Sequence, residues 1–148
     1  MSELATNILD PVSEQFGELT LTYGFCSPSL ARERKRLAKE QGIVPGIYPA
    51  LDQHSGHELN RKGELICTRG GAACDFIVEG ISSQVVAAWI VQNLPFDRLY
   101  YYAPDRPLHV SYNRQSRAAE VTMMTPKVNG RGYIPRTLTS ERFLERYA

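Results

Sequence analysis

Long apolar runs, a cysteine framework and a charge of one sign are all missing from this sequence. No stretch approaches the roughly 18 apolar residues that a membrane helix needs, so no spanning segment is expected. The opening Met-Ser-Glu-Leu-Ala-Thr-Asn has no basic start, apolar centre or small-residue cleavage site, and without a secretory signal a cytoplasmic location is expected. Three cysteines, Cys26, Cys67 and Cys74, are an odd number without framework spacing, which suits a reducing compartment rather than a disulfide scaffold. A formal net charge of +1 exerts no overall pull toward nucleic acid or a membrane surface. Internal repeats and low-complexity segments are absent too, which excludes solenoids and tails of biased composition.

What remains is a chain of 148 residues, 43% hydrophobic and 22% charged, the size and balance of one self-folding domain. Residues 3 to 9 read as a short helix that Asp10-Pro11 restarts, with Val12 and Phe16 continuing its apolar face up to Gly17. Leu19, Leu21 and Tyr23 then alternate with polar residues, the period of a half-buried strand. Ser27-Pro28 opens a helix through residue 41, and Ser82 or Ser83 caps another through Leu94, apolar on most sides and therefore buried. Ala72 to Val78 reads as a central strand. Phe96–Tyr102 and Leu108–Tyr112 read as two strands joined by a Pro-bracketed turn, Ala118–Met124 as a third, and a last helix capped by Thr139 or Ser140 runs over 141–147. The expected class is α+β, a single domain with a small antiparallel sheet and flanking helices; it spans 1–124, followed by a basic extension, 125–148.

Between Ile43 and Gly71, seven glycines and prolines forbid long regular elements, and a loop of that length inside a small domain is usually functional or disordered; its two histidines favour functional. It carries His54 and His57, two of only three histidines. The third, His109, sits on a predicted strand where its side chain points with Ser111 and away from Leu108 and Val110. Asp75 interrupts the apolar run Ala72–Val78, and a carboxylate there needs a cation, donors or a metal to compensate it. Imidazoles and one carboxylate, with a fourth position open, form a common catalytic zinc set, so His54, His57, Asp75 and His109 are the candidate metal ligands. Cys67 and Cys74 are possible soft ligands, although free cysteine more often serves as a small buried hydrophobe.

Several strings, in order, resemble the zinc D-alanyl-D-alanine carboxypeptidase and hedgehog-like superfamily over roughly residues 4 to 113. Thr22-Tyr23-Gly24-Phe25-Cys26 is similar to the end of its first strand, Gly71-Ala72-Ala73-Cys74-Asp75 to its Gly-x-Ala-x-Asp segment, and Leu94-Pro95-Phe96-Asp97-Arg98-Leu99 with Leu108-His109-Val110-Ser111 to its closing strands. The resemblance implies that Asp75 and His109 are two of three zinc ligands. Thr68 stands where the family has its first histidine, so the third ligand comes from His54 or His57; Asp52-Gln53-His54, similar to the family's Ser-Gln-His, favours His54. Cys26 replaces the family's substrate-binding arginine and Arg106 its general-base glutamate.

Two functions follow from these residues. One is a zinc-dependent hydrolase, a peptidase or amidase acting on peptidoglycan-type peptides, with Asp105 or Glu58 as base and Arg98 or Arg106 engaging the substrate carboxylate. The other is a subunit of the same fold that binds without cutting, in a bacterial or phage-related assembly. It would contact a protein or nucleic acid through the basic segments Arg32, Arg34, Lys35, Arg36, Lys39 and Lys127, Arg131, Arg136, Arg142, Arg146.

Overall fold

Among the described residues six strands form one sheet, ordered across it as the first, second, fourth, third, fifth and sixth in the chain, and the helices pack mainly on one of its faces. The structure, a computed structural model, describes residues 2–42, 53–128 and 132–148. The strands are β1 (Leu19–Tyr23), β2 (Ala72–Val78), β3 (Arg98–Tyr101), β4 (Leu108–Tyr112), β5 (Glu120–Pro126) and β6 (Tyr133–Thr139). All neighbours pair antiparallel except β3 and β5, which run parallel. Helices α1 (Ser2–Leu4) and α2 (Asp10–Phe16) are joined through a π-helical stretch, Ala5–Leu9; α3 (Pro28–Glu40), α4 (Ser83–Asn93) and α5 (Ser140–Tyr147) complete the set. No helix among the described residues is long and apolar enough to cross a membrane. The α+β class and the single domain expected from the sequence are both present.

Local chemistry explains the boundaries. Ser27, Ser82 and Thr139 each turn a side-chain oxygen onto a backbone N–H of the first helical turn, replacing a bond that the helix itself cannot make. The core lies between the helices and one face of the sheet: Ile8 and Val12, then Val86, Ala87 and Ile90 of α4, meet Cys74, Phe76, Leu99, Leu108, Val110 and Val121. Period two carries this inward set along β2, β3, β4 and β5 and sends the intervening residues to the other face.

Two expectations are corrected. The boundary at residue 124 falls inside β5, and the chain beyond it is no appendage: β6 pairs with β5 over seven residues, while Phe143 of α5 is fully buried in the common core. The segment was basic but also supplied Leu138 and Phe143, enough apolar surface to close the sheet's far edge. Leu21, expected to be half-buried, is 51% exposed, because β1 is an edge strand with little packed over its outer end. Of the loop expected over 43–71, residues 43–52 lie outside the described residues; the rest contains a 3-10 turn, Gln53–Ser55, and a bridge between Leu59 and Leu65.

Candidate metal centre

Strand register assembles the site on the face away from the helical core. Asp75 of β2 lies directly across from His109 of β4, and His109 across from Tyr100 of β3. On the other side of β2, strict alternation would put Tyr23 on the face of Leu19 and Leu21. A bulge between Leu21 and Tyr23 instead pairs Tyr23 with Asp75, and so re-aims its ring. Tyr23, Asp75, His109 and Tyr100 thus form one polar row across four strands.

His54 enters this row from the loop. Its turn is fastened at several points: the Cys26 amide donates to the His54 carbonyl at 3.0 Å, and Gln53 Nε2 donates to the Gly70 carbonyl at 2.9 Å and to Asp97 Oδ2 at 2.7 Å. Asp97, itself buried, also accepts the Ala118 amide at 2.9 Å. These bonds hold a non-repetitive segment against the sheet, with the His54 carbonyl paired.

Three ligand-type atoms converge there. His54 Nε2 and His109 Nδ1 lie 3.1 and 2.8 Å from Asp75 Oδ1 and 3.1 Å from each other. His54 Nδ1 is 2.9 Å from the Gly24 carbonyl, which can only accept, so Nδ1 carries the proton and the neutral ring presents a lone pair at Nε2. That lone pair faces a carboxylate oxygen. Two acceptors at this distance repel unless a positive hydrogen or ion lies between or beside them: an extra proton on His54, the Nδ1–H of a neutral His109, which is within hydrogen-bonding distance of both atoms, or a metal ion. A carbonyl that fixes the tautomer of a ligating histidine is the usual outer support of a metal site. Zinc bonds of about 2.0–2.2 Å set neighbouring ligand atoms ~3.4 Å apart, a few tenths of an ångström wider than this triangle and within reach of small ring rotations. The buried group His54, Asp75 and His109 can therefore hold a metal ion.

Aromatic rings wall the cluster. Tyr100 stacks on His109 with ring centroids 4.5 Å apart and planes 13° from parallel, and Tyr23 meets His54 edge-on at 4.5 Å. With the extra proton on His54 and no metal bound, burial pushes the Asp75 carboxyl up, but hydrogen bonds from His109 and His54 outweigh it and hold the group at about 2. One residue earlier, burial and the Asp75 charge push the Cys74 thiol up to about 12.

The other candidates lie elsewhere. His57 is exposed and lines a separate cavity of about 390 Å³ with Thr68, Gly71 and Tyr112; of the two loop histidines, the structure brings His54 to Asp75. Thr68 faces that second cavity as well. Asp105 and Arg106 occupy the exposed turn before β4, where the Asp105 charge acts on Tyr101, a residue of the opposite, core-facing side. Arg98 pairs with Glu120 of the neighbouring strand. Glu58 is half-buried and ties its amide to the Ser55 carbonyl at 3.1 Å, directly after the turn that carries His54. Cys74 points into the core rather than toward the histidines, and Cys67 is buried outside the cluster. Sequence reasoning missed Gln53, Asp97, Tyr23 and Tyr100. Only the placement of Tyr100, beside Leu99 and Tyr101 in an alternating strand, left a readable signal. No known family model, curated protein or solved structure matches this chain.

Proposed function

We propose that this protein is a zinc-dependent hydrolase of peptide or amide bonds, with His54, Asp75 and His109 as the metal ligands. The observation that carries this reading is the convergence of two imidazole nitrogens and a carboxylate oxygen within 3.1 Å, one ring already locked in the ligating tautomer by the Gly24 carbonyl. The resemblance of Gly71–Asp75 and Leu108–Ser111 to the zinc D-alanyl-D-alanine carboxypeptidase and hedgehog-like superfamily points to peptidoglycan-type peptides as the substrate class. When bound, zinc supplies Lewis acidity toward a carbonyl and toward water. The protein's part is to hold His54 and His109 neutral, to orient them through Gly24 and Tyr100, and to place a base. Glu58 is the better of the two proposed bases, because its segment is fastened beside His54 whereas Asp105 sits in the exposed turn before β4.

Metal analysis and a hydrolysis assay on peptides ending in D-alanine test this. One zinc per chain is expected in the wild type, with tight binding lost in His54→Ala, Asp75→Ala and His109→Ala and retained in His57→Ala. Glu58→Gln should keep the zinc and lower turnover roughly 100-fold to 10,000-fold. A folded protein that takes up no metal sinks the proposal. The position of Asp105 favours a second reading, a metal-holding subunit that binds without cutting; zinc uptake with no turnover on any such peptide would select it.

A further inference from the structure

Beside Asp75 lies a hollow of about 210 Å³ lined by Thr22, Tyr23, Arg34 and Asp75. Arg34 belongs to α3, where Arg36, two residues on, is neutralised within the helix by Glu33 and Glu40. No carboxylate among the described residues pairs with Arg34. Its guanidinium lies instead over the Tyr23 ring, 4.8 Å from the centroid, and that ring in turn meets His54 edge-on. A cation over an aromatic face is held in place while its N–H groups stay available for a planar oxyanion.

From this placement we infer that Arg34 is the anion-recognising residue of the metal centre, selecting ligands that carry a compact oxyanion, carboxylate or phosphate, into the hollow between its guanidinium and Asp75. The inference rests on the zinc reading above and deepens it. Zinc held by two neutral imidazoles and one carboxylate keeps a net charge of +1, and Arg34 adds a second positive charge across the hollow. A monoanion in the hollow would meet Arg34 on one side and the metal-bound Asp75 on the other. A hollow of this size has room for a carboxylate or phosphate group. The bulge in β1 makes the arrangement possible, because it brings Tyr23 to the metal face and thereby gives Arg34 a surface to rest on.

Calorimetric titration of the zinc-loaded full chain distinguishes the outcomes. N-acetylglycine serves as the carboxylate probe, inorganic phosphate as the second oxyanion, and N-acetylglycinamide as the neutral control. Zinc affinity should be the same in wild type and Arg34→Gln, within about twofold, since Arg34 is not a ligand. The preferred oxyanion should bind Arg34→Gln about tenfold or more weakly, Arg34→Lys in between, and the neutral amide equally weakly to all three; whichever of carboxylate and phosphate shows the larger loss identifies the group recognised. Equal oxyanion affinity in wild type and Arg34→Gln, or no oxyanion binding by the zinc-loaded wild type, overturns the assignment and leaves the metal centre standing. Failure of the wild type to bind zinc overturns both.

Discussion

Asp75 is placed where two imidazoles meet it, and its acid behaviour follows. Its carboxyl ionises at about 2 rather than the ordinary 3.8, so in metal-free protein the ionised group contributes stability that is fully present above about pH 4. As pH falls from 4 toward 2 that contribution, about 2 kcal/mol, is lost. Urea unfolding in the presence of a chelator should show this slope in the wild type and a flatter one in Asp75→Asn. Metal binding should weaken on acidification, because protons compete with the metal for its ligands. Cys74 offers a separate check. With no exposed surface and a thiol pushed up to about 12, it should resist iodoacetamide at pH 8 in the folded protein and react only once denaturant opens the core; ready labelling of native Cys74 would contradict its placement.

At the scale of single elements, β2 is the one on which the centre depends, since it carries Asp75 between the strands of Tyr23 and His109. Its approach is tight. Gly71 adopts a φ of +79°, and a Cβ there would come within 2.4 Å of the Tyr112 carbonyl oxygen. Gly71→Ala must therefore bear both left-handed strain and a backbone clash, a loss on the order of 2–4 kcal/mol, measurable as a lowered denaturation midpoint. By contrast Ser82→Ala, which removes the cap of α4 and touches nothing in the site, should cost about 1 kcal/mol and leave zinc binding unchanged.

Across the whole molecule, α5 is chain-terminal and yet structural. Phe143 is fully buried against the common core and stacks with Tyr147 at 5.0 Å. Phe143→Ala should destabilise by about 3–5 kcal/mol, a large share of what a domain of this size has to spare. Removal of residues 127–148 should leave a chain without cooperative unfolding, because β5 would lose its outer partner and the core its closing helix. A truncated chain that melts cooperatively near the wild-type temperature would show that β6 and α5 are dispensable.

How much of this was legible in the sequence depends on whether a feature is local. Period two placed Asp75 and His109 on one face and Phe76, Leu108 and Val110 on the other, because alternation in a strand is a property of consecutive residues. Serine and threonine caps likewise announced α3, α4 and α5 from their own neighbourhoods. β6 was not announced: Pro135, Arg136 and Thr137 give an exposed edge strand no apolar alternation to read. The meeting of His54 rather than His57 with Asp75, which the resemblance only favoured, the turn of Tyr23 toward the site and the approach of Arg34 depended on something else. Each is set by pairing register, a bulge, or bonds such as Gln53 to Asp97 that join residues 44 apart. Which ligand types the chain would offer was a matter of sequence alone; which of them meet was decided by the path of the folded backbone, because distance along the chain carries no information about distance in space until the strands have paired.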